Sequence, residues 1–374
     1  MKASKKHTKH TALIKPIGGE YHRNEWTFIG APCGIIQEVV EGLNTRLHGQ
    51  FNLGYLDAAH QSPPRDTTFY SQYTDKIAFQ SFNTLGKRQQ KQSRTFFNDL
   101  DMLFVNGNHF KGDKQVVFIN EKKKESLSRK LNRLTNVRVV LIEKDGDEIY
   151  EYLFDYLSDD VLVMKVCELD KLAAFIQADF EKSMPPLQGL VLAGGKSQRM
   201  GQDKGLLDYH GKPQREYMAD LLQPFCEKIY LSFREKQIAK TEHTIIHDTF
   251  TGLGPYGAIL SAFRAQPNQA WLTVACDLPY LEETSIKQLV KNRNPSKLAT
   301  CFHNPDTNFP EPLITIWEPR AYPVLLEFLS QGYSCPRKVL INTDIQEIQM
   351  QDLRQMTNVN DPEAYQTAKR EIGD

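Results

Sequence analysis

The 374-residue sequence is 40% hydrophobic and 25% charged, ordinary figures for a folded chain with room for two domains, each with its own core. Lysine plus arginine and aspartate plus glutamate balance at 46 each, so no net field draws the chain to nucleic acid or to a membrane surface. No apolar run approaches the roughly 20 residues of a membrane span, the basic opening MKASKKHTKH lacks the apolar core of a secretory signal, and the cysteines stand singly with no CxxC pair. The expectation is a cytoplasmic α/β protein without disulfides or structural zinc.

Residues 1–10 read as a disordered basic tip, in which His7 and His10 lack a third metal ligand. Thr11–Ile17 reads as a short strand before the Gly18-Gly19 turn. Trp26–Gly30 is an apolar strand that leads through Ala31-Pro32-Cys33-Gly34 into helical spacing from Ile35 to Leu47. Strand, tight loop and helix is the arrangement of a P-loop, but its lysine and hydroxyl are missing. Ile35 and Ile36 follow Gly34, and neither can neutralise phosphate or hold Mg²⁺. Strands with loops follow in FNLGYLDAAH and in FFNDLDMLFVNGNHFKGDKQVVFIN. Lys122–Arg133 is the most basic segment; without interleaved aromatics it reads as a solvated helix face rather than a nucleic-acid contact. Val137–Ile142, Ile149–Leu157, Val161–Val166 and Leu169–Phe180 alternate as strand and helix, and Glu181–Pro186 forms a polar, proline-marked hinge.

The stretch from Leu187 to Pro213, LQGLVLAGGKSQRMGQDKGLLDYHGKP, carries the strongest signal. An apolar strand, Leu187–Ala193, breaks on Gly194 and Gly195, and a loop bearing Lys196, Arg199 and Lys204 follows. Paired glycines let backbone N–H groups approach a bound anion closely, and the basic side chains add charge beside them. A Walker A loop would need a glycine at position 190, which is Leu190, and a dinucleotide fingerprint would need GxGxxG where adjacent glycines stand. Beyond the loop, Gln214–Phe225 is helical and Lys228–Phe233 and Thr244–His247 are strands, the last ending on Asp248. Gly252, Gly254, Pro255 and Gly257 then keep the backbone close to whatever lies over it. Ala270–Ala275 is a buried strand ending in CDLP, so Asp277 faces the crevice where open α/β sheets bind ligands, although a helix cap would also suit it. Strands near Ala299–Phe302, Pro312–Trp317 and Ile345–Met350, helices from Arg320 to Leu329 and in YSCPRKVL, and the ending NVNDPEAYQTAKREI close the domain.

The pattern LAGGxSxRMGxDKG resembles the nucleotide-binding signature of nucleotidyltransferases of the nucleotide-sugar-transferase-like, Rossmann-like three-layer α/β fold, and most of all the molybdenum cofactor guanylyltransferases of the MobA type. The resemblance covers residues 187–374. It implies transfer of GMP from GTP to the phosphate of (Mo-)molybdopterin with loss of pyrophosphate, and Mg²⁺ as cofactor. It also implies a role for each matched residue. Gly194 and Gly195 would hold the triphosphate, with Leu192 and Ala193 at the base edge and Asp248 in the nucleotide pocket. Lys204 and Arg199 would neutralise charge at the reacting centre and on the leaving pyrophosphate, and Asp277 would hold the metal. Gly254, Pro255, Gly257, Asn358 and Asn360 would contribute to the acceptor site, and apo-molybdoenzymes would be the onward partners. The family's asparagine-rich strand end is here Leu231-Ser232-Phe233-Arg234, which leaves CTP open in place of GTP. The same residues leave room for a related enzyme with a sugar-phosphate acceptor, or for an inactive cofactor-binding scaffold. Further upstream, FFNDLDMLFVNGNHF resembles the DLVLVEGFK-type segment of the MobB family, P-loop partners of these enzymes, with Asn106 in place of glutamate. That likeness implies a MobB-like α/β domain with a decayed P-loop over residues 1–182, a linker at 183–188 and the nucleotidyltransferase domain at 189–374.

Overall fold

A computed structural model describes residues 12–58, 71–76, 79–84, 90–194, 201, 203–234 and 241–373. The chain divides into two compact units, Ile17–Ser183 and Met184–Asp374, the latter joined by the residues before Ile17. The first 11 residues, with His7 and His10, lie outside the described residues.

In the first unit, β1 (Glu25–Ile29), β2 (Leu53–Leu56), β5 (Met102–Asn106), β6 (Lys114–Ile119), β7 (Val137–Ile142) and β8 (Leu162–Lys165) form a wholly parallel sheet in the order β2-β5-β1-β6-β7-β8. A separate antiparallel hairpin, β3 (Ser71–Lys76) with β4 (Phe79–Thr84), was not anticipated; its SQYTDK and FQSFNT offer too few apolar residues to mark buried strands. Alternate residues of the sheet serve opposite faces. Phe28, Phe104, Val116 and Phe118 pack against the helices Cys33–Leu47 and Leu169–Lys182, while Ile29, Val117, Ile119 and Val140 cover Leu127, Leu134, Tyr150 and Leu153 on the other side. Glu25 is buried at the start of β1, and its carboxylate accepts the backbone N–H groups of Glu20, Tyr21 and Asp113 at 2.7, 2.9 and 2.7 Å. An added Cβ at Gly19 would fall 2.0 Å from that carboxylate, which is why the turn before the sheet is glycine.

Two expectations change here. Residues 12–17 form no strand; Leu13, Ile14 and Ile17 are exposed, and Pro16 lacks the N–H a ladder would use. The basic segment Lys122–Arg133 is not one helix face either. It breaks into the short helix Lys124–Ser128 and two single 3₁₀ turns, pinned by buried Leu127.

The second unit is built on β9 (Leu187–Leu192), β10 (Ile229–Phe233), β11 (Thr244–His247), β12 (Ala270–Ala275), β13 (Ala299–Asn304), β14 (Phe309–Trp317) and β15 (Gln346–Gln349), in the order β11-β10-β9-β12-β14-β13-β15. All pairs are parallel except those made by β14, which runs against both β12 and β13. Every residue of β12 is buried, as befits a strand covered on both faces. The helices Gln214–Leu222 and Glu283–Lys291 cover one face, and Pro255–Ala265, Ala321–Ser330 and Pro336–Ile341 the other. β9 begins at Leu187, inside the stretch set aside as linker.

The helix Pro255–Ala265 escaped the sequence reading because Tyr256 to Phe263 are all buried, so no polar stripe betrays its period. Its first turn is tightly seated. An added Cβ at Gly257 would lie 2.1 Å from the Phe250 carbonyl oxygen, backbone that has no rotamer to move. Gly257→Ala is therefore expected to cost about 1–3 kcal/mol, read as a fall in thermal midpoint. An unchanged melt would contradict this packing.

Candidate active site

The carboxyl ends of β9 and β12 lie side by side, and from them the chain leaves in opposite directions along the sheet, β9 toward β10 and β12 toward β13. Such a switch point leaves a crevice. Here it is a cavity of about 540 Å³. Its floor is Leu192, Ala193 and Gly194 after β9 and Ala275, Cys276 and Asp277 after β12. Ser232 and Arg234 at the end of β10, Asp248 after β11, and Gly252, Gly254, Pro255 and Ala258 at the helix start form one flank. Asp203, Lys204, Gly205, Leu313 and Asn360 close the rest.

At its centre Lys204 Nζ sits 3.3 Å from Asp277 Oδ2 and donates to Asn360 Oδ1 at 2.6 Å. Local structure fixes each of the three. Asp203 caps the turn Lys204–Leu206 by accepting the Gly205 N–H at 2.9 Å, which aims the lysine inward. Asp277 follows directly on β12, and its carbonyl accepts the Val359 N–H at 2.8 Å. That bond, with buried Val359 packed on Leu207, Tyr209 and Ala368, carries Asn360 to the lysine. Asp277 Oδ1 is buried and has no hydrogen-bond partner.

On the opposite flank Ser232 Oγ donates to Asp248 Oδ1 at 2.9 Å. Burial raises the pKa of Asp248, and the Ser232 hydroxyl and the charges of His247 and Arg234 oppose the shift only in part. A carboxylate whose folded pKa is raised is better tolerated protonated, so its contribution to stability is lost as pH rises through that pKa. Asp248→Asn should thus raise the thermal midpoint at neutral pH, with the gain shrinking toward acid pH. Melts of both proteins across pH 4–8 test it, and a gain independent of pH would disprove it.

The cavity gathers Leu192, Ala193, Gly194, Lys204, Asp248, Gly254, Pro255, Asp277 and Asn360 from the expected site. Gly257 lies outside the lining, serving helix packing, and exposed Asn358 is not part of the cavity wall. Gly195 and Arg199 fall outside the described residues. The need for glycine at 194 has a second source besides anion approach, since a Cβ there would lie 3.0 Å from the Arg234 backbone nitrogen. Asp361 Oδ1 accepts the Ala364 N–H at 2.9 Å and caps the final helix, Pro362–Gly373, as the sequence allowed. Sequence reasoning missed Asp203, Ser232 and Cys276. Ser232 could have been found, because it lies between Leu231 and Phe233, the two strand-end positions where the resembled family carries asparagine. Burial pushes the Cys276 thiol far above its ordinary range, which disqualifies it as a nucleophile.

Among the described residues no group of three or more His, Cys, Asp or Glu side chains converges as a ready-made metal cage. The orphaned Asp277 Oδ1 nevertheless fits Mg²⁺, which is held by one or two carboxylates plus substrate phosphates and water.

A mostly parallel sheet that gathers a glycine turn, a lysine and an aspartate at its carboxyl edge defines a nucleotidyltransferase type of domain. Residues 189–347 match the family model of the MobA-like NTP transferase domain. The chain is 36% identical over 213 residues to a molybdenum cofactor biosynthesis bifunctional protein of Synechocystis sp., covering 56% of this chain and 60% of that one, so it spans only 60% of that relative's length. It is 27% identical over 190 residues to the molybdenum cofactor guanylyltransferase of Pseudomonas putida, covering 49% of this chain and 98% of that protein. A solved MobB protein homologue from Bacillus stearothermophilus covers 42% of this chain and 99% of its own at 12% identity, with a TM-score of 0.31, a likeness too faint to bear on function.

Proposed function

We propose that the chain is a molybdenum cofactor guanylyltransferase, moving GMP from GTP to the phosphate of (Mo-)molybdopterin with release of pyrophosphate. The observation that carries this reading is the meeting of Lys204 with Asp277 Oδ2 and Asn360, while Asp277 Oδ1 has no hydrogen-bond partner, in a domain that matches the MobA-like model. Support for the particular substrates comes from the name of the Pseudomonas relative.

A phosphate monoester is anionic near neutral pH, so its oxygen can attack the α-phosphorus without a general base. The obstacle is charge, because one polyanion must approach another while pyrophosphate gathers charge as it leaves. Positioning and positive charge therefore supply the catalysis. By the sequence pattern Lys204 is assigned to the reacting phosphate and Arg199 to the leaving group, the backbone N–H groups of Gly194 and Gly195 to the triphosphate, and Leu192 and Ala193 to the base. Asp248 lines the nucleotide pocket. Asp277 is the residue that would hold Mg²⁺, whose charge, when bound, offsets that of the phosphates. Asn360, Gly254 and Pro255 are assigned to the acceptor side, together with Asn358 and Gly257 on the strength of the sequence pattern. The domain assignment, 1–182 and 189–374 about a linker, is part of the same proposal, with the first domain as a docking module rather than a nucleotidase. A cytoplasmic location and delivery to apo-molybdoenzymes complete it. Among the described residues no helix is long and apolar enough to cross a membrane.

The test is to mix the protein with Mg²⁺, molybdate-loaded molybdopterin and α-labelled GTP or CTP in parallel. Label from GTP in a dinucleotide, with pyrophosphate released, is the expected result. Label only from CTP keeps the mechanism and changes the nucleotide, as Leu231 and Phe233 in the family's asparagine positions allow. Label from neither favours a cofactor-binding scaffold.

A further inference from the structure

At the carboxyl ends of β1, β2 and β5, in the Ile17–Ser183 unit, side chains with no part in nucleotide transfer converge. Cys33 is half-buried at the first position of the helix Cys33–Leu47. His109 Nε2 lies 3.3 Å from its sulfur and 4.0 Å from Asp57 Oδ1. Asp57 is itself held in place, since Oδ2 accepts the Tyr55 hydroxyl at 2.8 Å and Oδ1 accepts the Ala58 N–H at 2.7 Å. Asn106 is wholly buried at the end of β5. Its Oδ1 accepts the Asn108 N–H at 3.0 Å, but its Nδ2 finds no acceptor.

The Asn106 side chain lies close enough to the Tyr55 hydroxyl to act on it. Burial raises the pKa of the Tyr55 hydroxyl most and Asp57 adds to the shift, while the Asn106 amide opposes it and the charge of Cys33 is felt as well. Lys130 donates to the Asn108 carbonyl at 3.1 Å and also lies within the field of Cys33. An added Cβ at neighbouring Gly34 would meet nothing, so the recess has open space beside the thiol.

We propose that Cys33 is a nucleophilic thiol that exchanges with small, carboxylate-bearing disulfides, with His109 as its proton acceptor. The Cys33 sulfur attacks one sulfur of the disulfide as its proton passes to His109 Nε2. The S–S bond breaks, the departing thiolate takes the proton back, and Cys33 is left in a mixed disulfide beside one free thiol. The disulfide itself is the oxidant, so the step balances. Acyl transfer fits the geometry less well. A hydrolytic triad orients its imidazole through the second ring nitrogen, whereas Asp57 shares Nε2 with the thiol. In that position the carboxylate steadies the imidazolium while it holds the proton, and disulfide exchange needs no oxyanion stabiliser. The ammonium of Lys130 supplies a donor for the carboxylate of the captured thiol.

The experiment treats the full chain with glutathione disulfide at pH 7 and follows adducts by peptide mass, using exposed Cys167 and Cys335 as internal controls. Cys33 is expected to form its adduct about tenfold faster than either control, the scale set by thiol environment. His109→Gln should bring Cys33 down to the rate of the controls, and 2-hydroxyethyl disulfide, which carries no carboxylate, should show little preference for Cys33. Three results would overturn the proposal: a Cys33 rate no higher than that of the controls in the unaltered chain, no loss with His109→Gln, or equal preference for the uncharged disulfide. The first comparison needs no variant to fold.

Discussion

Asp277→Asn is expected to lower the rate of nucleotidyl transfer by about 10²–10³-fold while the protein melts as before. The substitution preserves volume and leaves an oxygen available to Lys204, so packing at the end of β12 is undisturbed. What it removes is the charge behind an oxygen that is buried and makes no hydrogen bond. An unmet acceptor of that kind is a standing cost to the fold, and a bound cation at that point would offset it. The measurement is steady-state turnover with GTP and molybdopterin alongside a thermal melt, and wild-type turnover would remove Asp277 from the reaction. The same logic predicts that chelating the divalent cation stops turnover in the unaltered protein and that restoring it recovers the rate.

Lys204→Met should be comparably severe, about 10²–10³-fold in kcat/KM, but with a different signature. Methionine fills the lysine's stem and abolishes both its approach to Asp277 at 3.3 Å and its bond to Asn360 at 2.6 Å. Asp277 then keeps its charge in a partly enclosed place without that cation, so stability should fall by about 1–2 kcal/mol where Asp277→Asn costs none. A melt separates the two variants, and turnover measured in the same samples joins them. If Lys204→Met lost stability but not activity, the lysine would be only a strut for the Asn360 segment.

The strand order of the second unit was not readable from the sequence, but most of its strands were. Ala270–Ala275 runs just as its apolar residues mark it, because a strand covered on both faces must be a short continuous apolar run bounded by turn residues, and Thr244–His247 keeps its expected bounds at the edge of the sheet with only Ile246 buried. The helix Pro255–Ala265 was hidden by the same rule, since burial on all sides erases the amphipathic period that announces a helix. The strand proposed at Thr11–Ile17 failed over its described residues because β-branched composition alone supplies no pairing partner. At the site, Lys204 and Asp277 were legible from motif and strand position. Their direct contact was not, because it depends on a turn capped by Asp203 and on a backbone bond from Val359, neither of which leaves a trace in spacing. Asn358 and Asn360 looked equivalent in the sequence, yet of the two only Asn360 lines the cavity, where it accepts from Lys204.

The bond from the Val359 N–H to the Asp277 carbonyl also bears on when the protein becomes competent during its synthesis. The glycine turn, Lys204 and Asp277 all leave the ribosome well before residue 359, and until that residue arrives the lysine has no Asn360 to hold it. A nascent chain could thus have its central sheet assembled while its reacting centre stayed unfinished. The segment that carries Val359 and Asn360 then acts as a latch, so that the contact of Lys204 with Asn360 forms only after that segment has been made.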